Sequence, residues 1–225
     1  MKKQIPNLIT LLNLLSGCIA LVFVSQDNYW FAFYFVCLGI FFDFFDGFFA
    51  RIFKVQSPLG VQLDSLADMV TSGVVPGFVM FKMLSELSEN EFLPYFGFII
   101  TLGSCYRLAK FNIDTRQTDS FIGLPTPANA LFILSLPLIA QPLVAEFLSN
   151  IWVLIGISVL SAFILNAELP LFSLKIKNFS FAKFKLQIVF LVLSIILLLS
   201  FQILGLPLVI LLYILLSVIN NINNK

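Results

Sequence analysis

Four aspartates, Asp43, Asp46, Asp64 and Asp68, interrupt runs of Phe, Leu and Val. On insertion scales an ionised carboxylate at the centre of a bilayer costs roughly 2.5–3.5 kcal/mol, so four left unmet would cost on the order of 10 kcal/mol. Any fold open to this chain must gather these groups and offset their charge. Their spacing shows how. Asp43 and Asp46 are three residues apart, Asp64 and Asp68 four, so each pair shares one face of a helix. Two facing helices would present four carboxylates to one volume. A single Asp pair on a helix is ordinarily a solvated face, a reading that the apolar neighbours oppose here. Oxygen donors without imidazole or thiolate suit hard cations such as Mg²⁺ or Mn²⁺. Gly47 and Ala50 continue the Asp43 face and let a bulky polar ligand approach the backbone, while Arg51 adds a fixed positive charge suited to phosphate.

Composition sets the solvent around these groups. Of 225 residues, 60% are hydrophobic and only 11% charged, which predicts an all-α polytopic membrane protein. Hydropathy divides the chain into about eight transmembrane helices, over 7–25, 29–51, 60–81, 92–111, 125–144, 150–170, 186–203 and 205–221. No soluble domain fits between them, so residues 1–225 read as one integral-membrane domain, with the charge-free pair at about 186–221 accessory to it. Thr71, Ser72, Gly73, Pro76 and Gly77 are expected to kink the third span and to let it pack tightly. With the N-terminus placed in the cytoplasm, every basic residue except Lys82 falls in an inside segment. The positive-inside rule then puts both termini on the cytoplasmic side of a cytoplasmic (inner) membrane, with the four aspartates just below that interface. A net charge of +1 gives no basis for binding nucleic acid, and the absence of histidine excludes phosphohistidine chemistry and the usual zinc sites. Cys18, Cys37 and Cys105 lie in apolar segments without metal-ligand spacing and read as small buried hydrophobes.

Asp43, Asp46, Gly47, Ala50 and Arg51, then eight residues, then Gly60, Asp64 and Asp68 complete a longer pattern. It resembles, at every fixed position, the signature of the CDP-alcohol phosphotransferase family, Asp-x-x-Asp-Gly-x-x-Ala-Arg followed by Gly-x-x-x-Asp-x-x-x-Asp. The resemblance implies that family's membrane fold and a homodimer. It implies two divalent ions, Mg²⁺ or Mn²⁺, on Asp43, Asp46, Asp64 and Asp68, with Asp68 also the general base. It further implies CDP-lipid contacts at Gly47, Ala50, Arg51, Ser57 and Gly60. Ser57 reads equally as a helix N-cap ahead of Pro58. Pro6, Thr10, Asn13 and Gly17 form a stripe on one helix face, and this segment resembles the family's Pro-Asn-x-x-Thr-x-x-Asn start, which puts Asn7 and Thr10 near the nucleotide. Ordinary interhelical hydrogen bonding is the competing reading of that stripe. The same stripe opposes reading Leu15–Cys18 as a lipoprotein cleavage box after a signal sequence.

Further on, Arg107, Lys110, Phe111 and Asn112, with Gly123, Pro125 and Pro127 after them, resemble the bacterial phosphatidylserine synthase branch of the family, which often has Arg where this chain has Lys110. That implies CDP-diacylglycerol and L-serine as substrates, and Arg107, Lys110 and Asn112 at the acceptor, where a basic pair would meet the carboxylate of serine. Positive-inside anchoring accounts for the same two charges with no such role. Two other readings stay open: the same chemistry with glycerol 3-phosphate, an inositol phosphate or choline as acceptor, and a divalent-cation transporter built on the aspartates. Lys175 to Lys185 read as an inside loop able to touch anionic membrane lipids, and the Asn-rich tail after Asn220 as frayed.

Overall fold

The computed structural model describes residues 4–55, 57–114, 121–172 and 185–223, which are almost wholly helical. Helices α1 (Ile5–Ser25) and α2 (Tyr29–Ile52) form a hairpin whose turn passes through Asp27 at a φ of 58°. Pro6 opens α1, where its missing N–H has no helical partner to lose. The Asn28 side chain accepts the Phe31 N–H and caps α2. α3 (Pro58–Asp68) uses both devices, with Pro58 first in the helix and the Ser57 side chain accepting the Gly60 N–H at 3.0 Å.

α3 continues through a π-helical turn (Met69–Val74) into α4 (Val75–Leu87), a 30-residue apolar stretch that is longer than the expected 60–81. Thr71, Ser72 and Gly73 lie in that turn, where the helix widens locally to π pitch. The expected tight packing is present, since a Cβ on Gly77 would overlap the Thr101 hydroxyl. A 3-10 segment (Leu93–Phe98) leads into α5 (Ile99–Ile113), and α6 (Thr126–Ser135), α7 (Pro142–Leu148), α8 (Ile151–Asn166), α9 (Lys185–Phe201) and α10 (Gly205–Asn223) follow.

Among the described residues, four stretches are long and apolar enough to cross a membrane: Ile5–Ser25, Tyr29–Ile52, Pro58–Leu87 and Leu186–Ile222. The last of these turns back on itself. Gln202 has a φ of 50°, and a Cβ on Gly205 would lie 2.7 Å from the Leu197 carbonyl oxygen. Residues eight apart in a straight helix are separated by about 12 Å, so α9 and α10 run antiparallel, as the runs 186–203 and 205–221 require. The expected run 125–144 is broken instead. Its axis turns by 110° between Leu138 and Pro142, where Pro137 and Pro142 withhold backbone donors. The run 150–170 ends at Asn166; past it Pro170–Leu171 (β2) pairs antiparallel with Phe121–Ile122 (β1).

Val24, Val36, Val79, Met80, Ile133 and Leu154 are fully buried and draw α1, α2, α4, α6 and α8 around one core. Phe41, Phe44 and Phe48 of α2 point outward, the placement that suits a lipid-facing surface. Lys2 and Lys3, Arg116, the basic loop up to Phe184 and the last two residues lie outside the described residues.

Candidate metal and substrate site

The loop after α2 reverses the chain in a few residues. Lys54 adopts a φ of 53°, and the Lys54 and Val55 N–H groups donate to the Arg51 and Ala50 carbonyls at 3.2 and 3.0 Å. The end of α2 therefore comes to face the start of α3, and the two aspartate pairs meet. Asp43, Asp46 and Asp64 each offer one oxygen, and these oxygens lie within 4.8 Å of one another. Asp46 is buried, Asp43 and Asp64 half-buried. Asp64 Oδ1 is buried without a hydrogen-bond partner. Three carboxylates at this range repel, and an unpaired buried carboxylate oxygen is costly. A hard divalent cation offsets both, and the all-oxygen donor set suits Mg²⁺ or Mn²⁺. Asp68 is not one of the three; it stands beside them, buried, with Asn13 Nδ2 donating to its Oδ1 at 3.0 Å.

α1 holds this arrangement from the side. The Thr10 hydroxyl donates to Asp46 Oδ2 and also lies 3.0 Å from the Pro6 carbonyl oxygen. The Thr71 hydroxyl, in the π turn, donates to the Asn13 carbonyl at 3.1 Å. On the opposite side of that turn the Thr101 hydroxyl donates to the Gly73 carbonyl at 3.0 Å. Gly17 and Gly39 make the close approach possible. A Cβ on Gly17 would lie 2.5 Å from Thr71 Oγ1, and one on Gly39 would lie 2.8 Å from Asn13 Oδ1. Interhelical bonding, one of the two readings of the Thr10 and Asn13 stripe, is therefore present.

The residues expected at the CDP-lipid divide into two groups. Asn7, Ser57 and Gly60 come together, a Cβ on Gly60 lying 3.3 Å from both Asn7 Oδ1 and Ser57 Oγ. At the end of α2, Arg51 Nε donates to the Gly47 carbonyl at 2.9 Å and the side chain is exposed, with Ala50 half-exposed beside it. Ser57 does act as the N-cap of α3.

The three residues expected at the acceptor turn to three different neighbours. Arg107 is buried, with Nη2 3.5 Å from the Gly123 carbonyl and its guanidinium 5.8 Å from the Phe111 ring centre. Lys110 Nζ pairs with Glu168 at 3.6 Å, beyond the end of α8. Asn112 turns to the aspartate-bearing helix α3, where it bonds Ser65.

Residues 3–162 match the family described as CDP-alcohol phosphatidyltransferase. The chain belongs to this family. Over 145 residues it is 35% identical to the CDP-diacylglycerol–serine O-phosphatidyltransferase of Bacillus subtilis, a match covering 63% of the chain and 79% of that protein. The protein of the same name from Methanocaldococcus jannaschii is 32% identical over 158 residues, 70% of this chain and 71% of that one. The Helicobacter pylori counterpart is 32% identical over 130 residues, and the match spans about half of it, 54%.

CDP-alcohol phosphatidyltransferases are generally dependent on divalent metal, and the Asp43, Asp46 and Asp64 triad is a set of donors able to bind one. The C-terminal pair α9 and α10 lies beyond the matched residues. Ser65 and Ser104 escaped sequence reasoning, which treats Ser72 only as part of the kinking and packing of the third span. Ser72 and Ser104 are fully buried with hydroxyls that lack a hydrogen-bond partner. Serine in an apolar helix is too common to be singled out, whereas the Asn13 amide stood out because its stripe interrupts an apolar run.

Proposed function

We propose that the chain is a CDP-diacylglycerol–serine O-phosphatidyltransferase, making phosphatidylserine and CMP. The observation that carries the reading is the meeting of Asp43, Asp46 and Asp64 within 4.8 Å. It is joined by membership of a family whose matched relatives carry this activity in their names. Asp43, Asp46, Asp64 and Asp68 would hold two ions, Mg²⁺ or Mn²⁺, which when bound neutralise the pyrophosphate and stabilise the charge that develops on departing CMP.

The chain's own groups supply the rest. Asn7, Thr10, Gly47, Ala50, Arg51, Ser57 and Gly60 receive the cytidine diphosphate, with the exposed Arg51 charge directed to phosphate. The serine hydroxyl oxygen attacks the phosphorus that carries diacylglycerol. The bond from that phosphorus to the bridging oxygen breaks, and CMP leaves with the electron pair. Asp68 takes the hydroxyl proton, its carboxylate oriented by the Asn13 amide. Arg107 and Lys110 meet the serine carboxylate; for Lys110 this requires exchange of its exposed partner Glu168. The enzyme works as a homodimer in the cytoplasmic membrane with the site on the cytoplasmic side, a placement supported by the distribution of basic residues.

Purified protein should release CMP from CDP-diacylglycerol only when serine and Mg²⁺ or Mn²⁺ are both present. Asp68→Asn should retain CDP-lipid binding and lose turnover by at least about 100-fold, the usual scale of general-base catalysis. Serine-independent CMP release, or wild-type turnover in Asp68→Asn, would defeat the corresponding assignment.

A further inference from the structure

Ser65 follows Asp64 directly and stands on α3 three residues before Asp68. Its hydroxyl donates to Asn112 Oδ1 at 3.2 Å and accepts from Asn112 Nδ2 at 2.9 Å, so both ends of one amide are turned onto one hydroxyl. Both residues are half-buried, and 47 residues separate them. A two-point bond of this kind holds the hydroxyl oxygen near the plane of the amide and at a set distance from it. Asn112 closes α5, and one and a half turns earlier the same helix carries Arg107, buried and directed to the Gly123 carbonyl. The Arg107 guanidinium is thus held to the segment entering α6, while the end of its helix is held to α3.

We infer that Ser65 and Asn112 are a tether that sets the acceptor-bearing end of α5 against the aspartate face of α3, and that Asn112 is a positioning residue and not a contact of the acceptor. The inference rests on the proposed serine transfer. It assigns a role to Ser65, which no motif singles out, and changes the role of Asn112. A slack tether lets Arg107 drift relative to Asp68, so the acceptor loses its place while the CDP-lipid, held by α1, α2 and the start of α3, keeps its own.

The test is a double-mutant cycle of Ser65→Ala, Asn112→Ala and both together, with Ser65→Thr as the variant that keeps the hydroxyl. CMP release is measured against serine and against CDP-diacylglycerol concentration, and each protein's melting temperature is recorded. Each single alanine variant should lower kcat/KM for serine about fivefold or more, the double variant no further than the worse single, with the KM for CDP-diacylglycerol unchanged. Ser65→Thr should restore most of the loss. Loss in Asn112→Ala alone would make Asn112 an acceptor contact and overturn the tether. Additive losses, or losses confined to melting temperature, would overturn it too. Failure of the functional reading is seen separately, as a wild-type protein that does not respond to serine. The Ser65–Asn112 bond is then judged on melting temperature as a helix-to-helix contact alone: additive losses refute it, and coupled losses keep the contact while removing its role toward the acceptor.

Discussion

Gly39→Ala tests whether the aspartate face is set by close backbone packing. Gly39 lies on α2 one turn before Asp43. A Cβ there would lie 2.7 Å from Thr71 Cγ2 and 2.8 Å from Asn13 Oδ1, whereas ordinary contact begins at 3.4 Å. Both contacts are short by more than half an ångström, and neither neighbour is free to swing aside. The Asn13 amide is committed to Asp68 and the Thr71 hydroxyl to the Asn13 carbonyl. Relief requires α2 to move outward or Asn13 to release Asp68. Overpacking of this kind costs about 1–3 kcal/mol, and alanine returns about 1 kcal/mol of helix propensity. The net loss of stability is therefore modest, roughly 0–2 kcal/mol. Activity should suffer more, because a shift near 1 Å at reacting groups costs about 100-fold. We expect kcat for serine-dependent CMP release to fall about 10- to 100-fold with a small change in melting temperature. Gly156→Ala is the control, since nothing lies within 4 Å of its Cβ position in α8. It should keep kcat and stabilise by up to about 1 kcal/mol. Wild-type kcat in Gly39→Ala, or an equal loss in Gly156→Ala, would refute the reasoning.

Two further outcomes follow from the same geometry. Metal-free protein should gain about 2.7 kcal/mol of stability when Mg²⁺ or Mn²⁺ is added at a hundred times its Kd, seen as a higher melting temperature, and Asp64→Asn should abolish both this gain and turnover; a gain that survives in Asp64→Asn places the ion elsewhere. Gly123→Ala should lower the melting temperature by the equivalent of at least about 2 kcal/mol, because Gly123 has a φ of 81° and its Cβ would lie 2.5 Å from the Leu165 carbonyl oxygen; an unchanged melting curve would show that the turn before α6 adapts at little cost.

The aspartate cluster was legible in the sequence for a physical reason. Each pair shares a helix face, and charge set among Phe and Leu needs a counter-charge that those neighbours cannot supply. The two charge-free runs at the C-terminus were legible as well, because together they are too long for one crossing and the distribution of basic residues requires an even number of spans. The break between Leu138 and Pro142 was not, since hydropathy weighs apolar character and is blind to direction, and Pro137 and Pro142 sit inside an apolar run. The π turn has no composition of its own. It is pinned by Thr71 and Thr101, whose bonds reach across to other helices. Lys110 read as one half of a basic pair with Arg107 on the same face, yet its partner in the fold is Glu168, 58 residues away and invisible to local pattern.

The signature alone does not account for the shape of the site. Its two helices bring three carboxylates together, but one carboxylate of each pair is held by a third helix: Thr10 donates to Asp46 and Asn13 to Asp68. Those donors are three residues apart on α1, so a single helical face reaches both signature helices. In water a lost partner is replaced by solvent; inside a bilayer it is not, and a polar group there must find its bond in protein. Glycine at positions 17 and 39 lets the backbones close to the range at which a side chain as short as Thr or Asn can span the gap. The missing side chains weaken helix propensity in α1 and α2, and the hydrogen bonds made across the gap orient the carboxylates. Small and polar residues alternate here because each is useful only when the other is present.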